Sequence, residues 1–139
     1  MSARRGACAR SLGTVSTNVL LVDDSPTVRN ILKIYLMNLK VSIVEAEDAQ
    51  RALQLLRLVP VSVVIADINM PVMDGITFVK EVRASAQAQV KKVPVILLTA
   101  EKGNDLRQRG SEAGANAFIQ KPVSHDELTK TVRQFLNGG

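Results

Sequence analysis

The sequence predicts an α/β fold, a doubly wound sheet of five parallel strands covered by five helices. Two observations carry this. From Asn18 onward, short apolar runs alternate with stretches of helical periodicity, the pattern of consecutive βαβ units. The runs are continuously apolar rather than alternating, as strands covered on both faces must be. Size agrees: 139 residues, 46% hydrophobic but only 3% aromatic, make one domain with an aliphatic core. Right-handed crossovers then leave helices on both faces of the sheet.

The elements follow in order. Residues 19–22 (Val19, Leu20, Leu21, Val22) form the first strand. Ser25 suits an N-cap and Pro26 the first helical position. Val28, Ile31, Leu32, Tyr35, Leu36 and Leu39 then keep the i, i+3, i+4, i+7 spacing of an inward-facing helical stripe. The second strand is expected at 41–44, followed by a helix with Ala49, Ala52, Leu53 and Leu56 inward and Pro60 as its stop. The third strand, 63–66, ends at Asp67. Pro71 and Gly75 shape a loop, and a helix carrying Ile76, Val79 and Val82 runs to about Ala86. Pro94 precedes the fourth strand, 95–98, which ends at Thr99. A fourth, weakly periodic helix spans 104–113 with Gly114 as its stop, and 117–119 is the fifth strand. Ser124 and Glu127 form a capping box for the last helix, whose stripe is Leu128, Val132, Phe135 and Leu136.

Four strands end in polar groups: Asp23-Asp24, Asp67, Thr99 and Lys121. Singly, each has an ordinary explanation as a cap, a turn former, a strand former or a surface charge. Together they fall on one carboxyl edge of a parallel sheet, where ligand crevices form in open α/β folds. Three clustered carboxylates repel one another and call for a cation. Oxygen donors without nearby His or Cys suit Mg²⁺, which pairs naturally with phosphate. Asp67 then reads as a nucleophile of the aspartyl-phosphate kind. The cation and the Lys121 ammonium would neutralise phosphoryl charge, and the Thr99 hydroxyl could donate to a phosphoryl oxygen.

Residues 1–17 stand apart. They hold Arg4, Arg5 and Arg10, no acid, and mostly small side chains, which reads as a disordered arm or extension before a single domain at 18–139. They lack the apolar centre of a secretory signal. Without those three arginines the net charge falls from +5 to +2, so the basic balance is weak support for nucleic acid binding. The single cysteine, Cys8, excludes an internal disulfide framework and fits a reducing, cytoplasmic compartment. No run reaches membrane-spanning length. His125, the lone histidine, has no metal-ligand spacing and reads as a surface residue.

From about Asn18 to Asn137 the chain resembles the receiver domain of bacterial two-component response regulators. The resemblance lies in Val22-Asp23-Asp24-Ser25-Pro26, in the segment from Asp67 through Asn69, Met70 and Pro71 to Asp74-Gly75, in Thr99-Ala100-Glu101, and in Phe118-Ile119-Gln120-Lys121-Pro122. It implies a flavodoxin-like sheet of strand order 2-1-3-4-5. It makes Asp67 the phosphoacceptor and places Mg²⁺, with Mn²⁺ able to substitute, on Asp23, Asp24, Asp67 and the backbone carbonyl of Asn69. Thr99 and Phe118 become a switch pair, Lys121 a phosphate contact, and the Lys121-Pro122 bond cis. Phe118 has no hydroxyl, so an output needing a tyrosine there is not expected.

Asn69 and Glu101, with small Ala100 between Thr99 and Glu101, look like the chemotaxis-type regulators, whose phosphorylated state decays quickly, so a signal lasting seconds to minutes is expected. The resemblance implies a cytoplasmic, stand-alone switch, a signalling phosphoacceptor and no turnover enzyme. Its partners would be a sensor histidine kinase or phosphotransfer protein and an unidentified output protein in chemotaxis or motility. The fourth helix, fifth strand and fifth helix would form the switching face. No DNA-binding domain and no membrane partner are expected, and the state is a monomer or a weak phosphorylation-dependent dimer. Relay of phosphate between histidine proteins is the alternative. A phosphatase of the haloacid dehalogenase type would need an Asp two residues beyond the nucleophile as general acid, and Asn69 occupies that position. A phosphorylation-independent interaction module would show a gap in the acid set, which here is complete.

Overall fold

The structure is a computed structural model that describes residues 17–100 and 104–137. The expected arm, but for Thr17, lies outside the described residues, as do Glu101 and the Gly138-Gly139 end. Five strands, β1 (Asn18–Val22), β2 (Ser42–Ala46), β3 (Val63–Asp67), β4 (Val95–Thr99) and β5 (Ala117–Gln120), pair in parallel in the order β2-β1-β3-β4-β5. This is the doubly wound topology expected, with the order reversing between β1 and β3.

The helices are α1 (Pro26–Leu36), α2 (Ala49–Leu58), α3 (Gly75–Arg83), α4 (Ala88–Lys91), α5 (Asn104–Ala113) and α6 (His125–Asn137). The sequence led to five helices. The sixth, α4, is a single turn in the α3–β4 connection, too short to show a period. A 3-10 turn, Met37–Leu39, follows α1, and α3 stops at Arg83 rather than near Ala86. The second strand begins one residue later and ends two residues later than expected, because Glu45 takes an exposed position on an edge strand and so hid its pattern.

Each strand alternates its side chains between two apolar layers. Val19, Leu21, Val63, Ile65, Ile96 and Leu98 pack under Leu32 and Leu36 of α1 and Leu128 and Val132 of α6. Leu20, Val22, Val64, Ala66, Val95 and Leu97 pack under α2 and α3 through Ala49, Ala52, Leu56, Ile76, Val79 and Val82. Every residue of β3 and β4 is buried. Burying each such aliphatic side chain contributes about 1.5–3 kcal/mol, which fixes the strand ends that carry Asp67 and Thr99. Ile31 was expected inward but is 42% exposed, because it lies on the flank of a stripe centred on Leu32 and Leu36.

Caps set the loop geometry. The Ser25 hydroxyl accepts from the Val28 amide at 3.2 Å, and Asp48 and Asp74 cap α2 and α3 through the Arg51 and Thr77 amides, both at 2.8 Å. The expected Ser124 cap is loose, with 3.4 Å to the Glu127 amide. At the opposite edge of the sheet, Arg83 ties α3 to the start of β4 and the end of α5. Its guanidinium donates to the carbonyls of Lys91, Val93 and Gly114 and to Asn116 Oδ1, all within 3.0 Å. Gly114, at φ +114°, lets the chain turn over that side chain. No described helix is long and apolar enough to cross a membrane.

Candidate functional site at the carboxyl edge of the sheet

The parallel register brings the polar strand ends together. Val22 pairs with Ala66, Asp67 with Leu98, and Thr99 with Gln120, so Asp23, Asp67, Thr99 and Lys121 fall on one edge. Backbone bonds extend the ladder past the strands. The Asp23 amide donates to the Ala46 carbonyl at 3.1 Å, Ile68 to Leu98 at 3.0 Å, and Lys121 to Thr99 at 2.7 Å.

Asp67 is 5% exposed, and both of its carboxylate oxygens are engaged. Oδ1 accepts from the Asn69 amide at 3.0 Å, and Oδ2 from the Lys121 ammonium at 2.7 Å. Lys121 therefore reaches the proposed acceptor itself, and the Lys121-Pro122 bond is cis, as the resemblance implied. Thr99 is fully buried at the end of β4. Ala100 and Asn69 are exposed beside it and beyond Asp67.

Asp23 is 1% exposed. Its Oδ1 accepts from the Ser25 amide at 2.8 Å, and its main-chain carbonyl accepts from the Arg29 guanidinium. Oδ2 is buried and has no hydrogen-bond partner. Burial pushes the Asp23 carboxyl above its usual range; the Ser25 amide opposes this, the Asp67 charge adds to it, Lys121 opposes it and Asp24 adds a little. Asp24 faces solvent. Among the described residues, no three acidic, His or Cys side chains gather closely enough to enclose a metal unaided. The three-carboxylate crowd expected from the strand ends is thus a buried pair, Asp23 and Asp67, with Asp24 at the rim.

That arrangement fits a hard divalent cation. A buried carboxylate oxygen without a partner, raised in pKa partly by a second carboxylate, is what an oxygen-seeking cation would satisfy. Asp24 and Asn69 are exposed residues beside this pair, and a cation that retains waters needs few protein ligands.

Two glycines shape the site in ways the sequence did not disclose. A Cβ at Gly75 would lie 2.6 Å from the Asp67 carbonyl oxygen and 2.8 Å from Ile68 Cα. The start of α3 therefore packs directly on the backbone of Asp67, and the Gly75 amide donates to the Ile68 carbonyl at 2.8 Å. A Cβ at Gly110 on α5 would lie 2.7 Å from Phe118 Cε2 and Cζ, so the half-buried ring rests on a helix that has no side chain there. His125 is exposed, as expected, and its ring meets Tyr35 edge-on with centroids 5.5 Å apart.

A doubly wound parallel sheet with a buried, lysine-paired aspartate at its carboxyl edge is an open α/β domain with a carboxylate where such folds bind ligands. Residues 19–133 match the response regulator receiver domain, and the chain belongs to that family. It is 34% identical over 122 residues to the transcriptional regulatory protein SrrA of Staphylococcus aureus, covering 88% of this chain and 48% of that protein. The chain thus spans about half the length of the curated relatives it matches. The chemotaxis protein CheY4 of Vibrio cholerae superposes with a TM-score of 0.80 at 35% identity, over 87% of this chain and 99% of that one. The receiver domain of the sensor histidine kinase PA1611 of Pseudomonas aeruginosa, which carries a magnesium ion in its active-site cleft, superposes with a TM-score of 0.79 at 26% identity, over 88% and 99%.

Proposed function

We propose that this protein is a cytoplasmic switch that stores a phosphoryl group on Asp67. The observation that carries the reading is the pairing at Asp67, buried, with one oxygen on the Asn69 amide and the other 2.7 Å from Lys121. The donor is a phosphohistidine of a sensor kinase or phosphotransfer protein. A carboxylate oxygen of Asp67 attacks phosphorus; the new O–P bond forms as the N–P bond breaks, and the departing imidazole nitrogen takes a proton from solvent. Lys121 holds the carboxylate in place and then follows the charge onto the phosphoryl oxygens. Asp23, Asp24, Asp67 and the Asn69 carbonyl would hold Mg²⁺, or Mn²⁺ in its stead. Bound there, the cation supplies charge neutralisation on the transferring oxygens.

Thr99, buried beside the acceptor, turns its hydroxyl to the phosphoryl group, and the Phe118 ring follows. The change is read on the face of α5, β5 and α6, the fourth and fifth helices of the sequence pattern with the fifth strand, by an output protein of chemotaxis or motility. Likeness to single-domain chemotaxis neighbours supports output by protein contact. Exposed Asn69 and Ala100 leave water a path to phosphorus. Water attack then breaks the acyl-phosphate P–O bond and returns Asp67 and inorganic phosphate within seconds to minutes.

The test is incubation with Mg²⁺ and acetyl phosphate. Wild type should gain the mass of one phosphoryl group, chelation of Mg²⁺ should suppress the gain, and Asp67→Ala should show none. An unchanged wild-type mass removes the proposal. A phosphorylated form that persists for hours removes the fast decay alone.

A further inference from the structure

The two acids at the end of β1 are separated by one peptide unit, whose carbonyl belongs to Asp23. The orientation of that unit decides where Asp24 and the free Asp23 oxygen point. All polar atoms of Asp23 can be accounted for: the amide is on Ala46, Oδ1 is on the Ser25 amide, and Oδ2 is the partnerless oxygen. The remaining atom, the carbonyl oxygen, accepts from Arg29 Nη1.

Arg29 is itself immobilised. Its side chain is 14% exposed, and Nε donates to Glu45 Oε1 at 2.9 Å. Glu45, on the edge strand β2, takes Lys33 Nζ on its other oxygen, also at 2.9 Å. A planar guanidinium can bind a carbonyl and a carboxylate at once in fixed geometry, which an ammonium cannot. The chain of contacts runs from edge strand to helix to the acid loop, and Ala46, next to Glu45, receives the Asp23 amide.

We propose that Arg29, anchored by Glu45, is the positioning residue of the acid pair: it clamps the Asp23–Asp24 peptide so that the free carboxylate oxygen and Asp24 face a common cation. This rests on the reading of Asp23 and Asp24 as cation ligands. The sign of its effect separates it from simple electrostatics. A guanidinium near a cation site repels the cation, so on charge alone its removal would tighten binding. As a clamp, its removal loosens binding, as loss of an outer partner of a metal ligand does.

The experiment titrates Mg²⁺ into the full chain in the absence of phosphodonor and takes Kd from the thermal shift, for wild type, Arg29→Gln and Arg29→Lys. The expected result is a Kd raised roughly 10-fold in both variants. An unchanged Arg29→Lys with a tighter Arg29→Gln would overturn the clamp and leave only charge. Arg29→Lys keeps the charge and the stem, so it guards against a variant that fails to fold; Glu45→Gln, which weakens only the anchor, should raise Kd less. Absence of Mg²⁺ binding by wild type would instead remove the cation-site reading itself.

Discussion

Asp23→Asn should make the cation-free protein more stable while destroying its cation site. In the native state this carboxyl is 1% exposed, leaves Oδ2 without a partner and lies within the field of Asp67. An unsatisfied buried acceptor costs about 1–3 kcal/mol, and more when charged. Asparagine keeps an oxygen for the Ser25 amide and removes the charge, though its NH₂ must then find an acceptor. A net gain of about 1 kcal/mol is expected, roughly 3–5 °C in Tm for a chain of this size. The assay is thermal unfolding with chelator and then with saturating Mg²⁺. With chelator the Asp23→Asn variant should unfold later than wild type; with Mg²⁺ wild type should gain stability by mass action and the variant should not. The pH dependence has a definite sign. A carboxyl raised above its unfolded value takes up its proton more readily when folded, so its cost is present above the raised pKa and fades as pH falls through it. The advantage of the variant should shrink in the same direction. A variant less stable than wild type in chelator, or a gap that widens on acidification, would refute the reasoning.

Three further outcomes follow from local geometry. Gly75→Ala sets a Cβ against the backbone of Asp67 and Ile68 and should cost about 1–3 kcal/mol of stability, with slowed phosphorylation from acetyl phosphate; wild-type rates would contradict the role of Gly75 as a seat for the acceptor strand. Gly110→Ala should displace the Phe118 ring, seen as shifted aromatic NMR signals, and the usual helix gain of about 1 kcal/mol should not appear in urea unfolding. Val72 holds φ +70° and is 96% exposed, so Val72→Asn should stabilise by about 1 kcal/mol in the same urea assay; no change would show that the backbone there carries no strain.

The strand ends were legible because β3 and β4 are apolar throughout and a polar residue closes each. Ser25-Pro26 announced α1, and the order of short motifs placed Asp67, Thr99 and Lys121 on one edge. What stayed hidden depends on tertiary contact. Arg29 lies six residues from Asp23, yet its partner Glu45 comes from another strand, and no sequence period reports that triangle. Gly75 read as a loop former, although its reason is the carbonyl of Asp67 beneath it. Asp24 looked equivalent to Asp23, but just past the end of β1 the first acid is buried and the next is exposed. A composition of alternating signals could not show which of two adjacent acids is buried.

The central claim is that phosphoryl chemistry happens at one carboxylate. Peptide mapping by tandem mass spectrometry after reaction with acetyl phosphate and Mg²⁺ tests this most directly. The modification is expected on the peptide bearing Asp67, and on that residue within it. A phosphoryl group located on Asp23, Asp24 or His125 instead would contradict it.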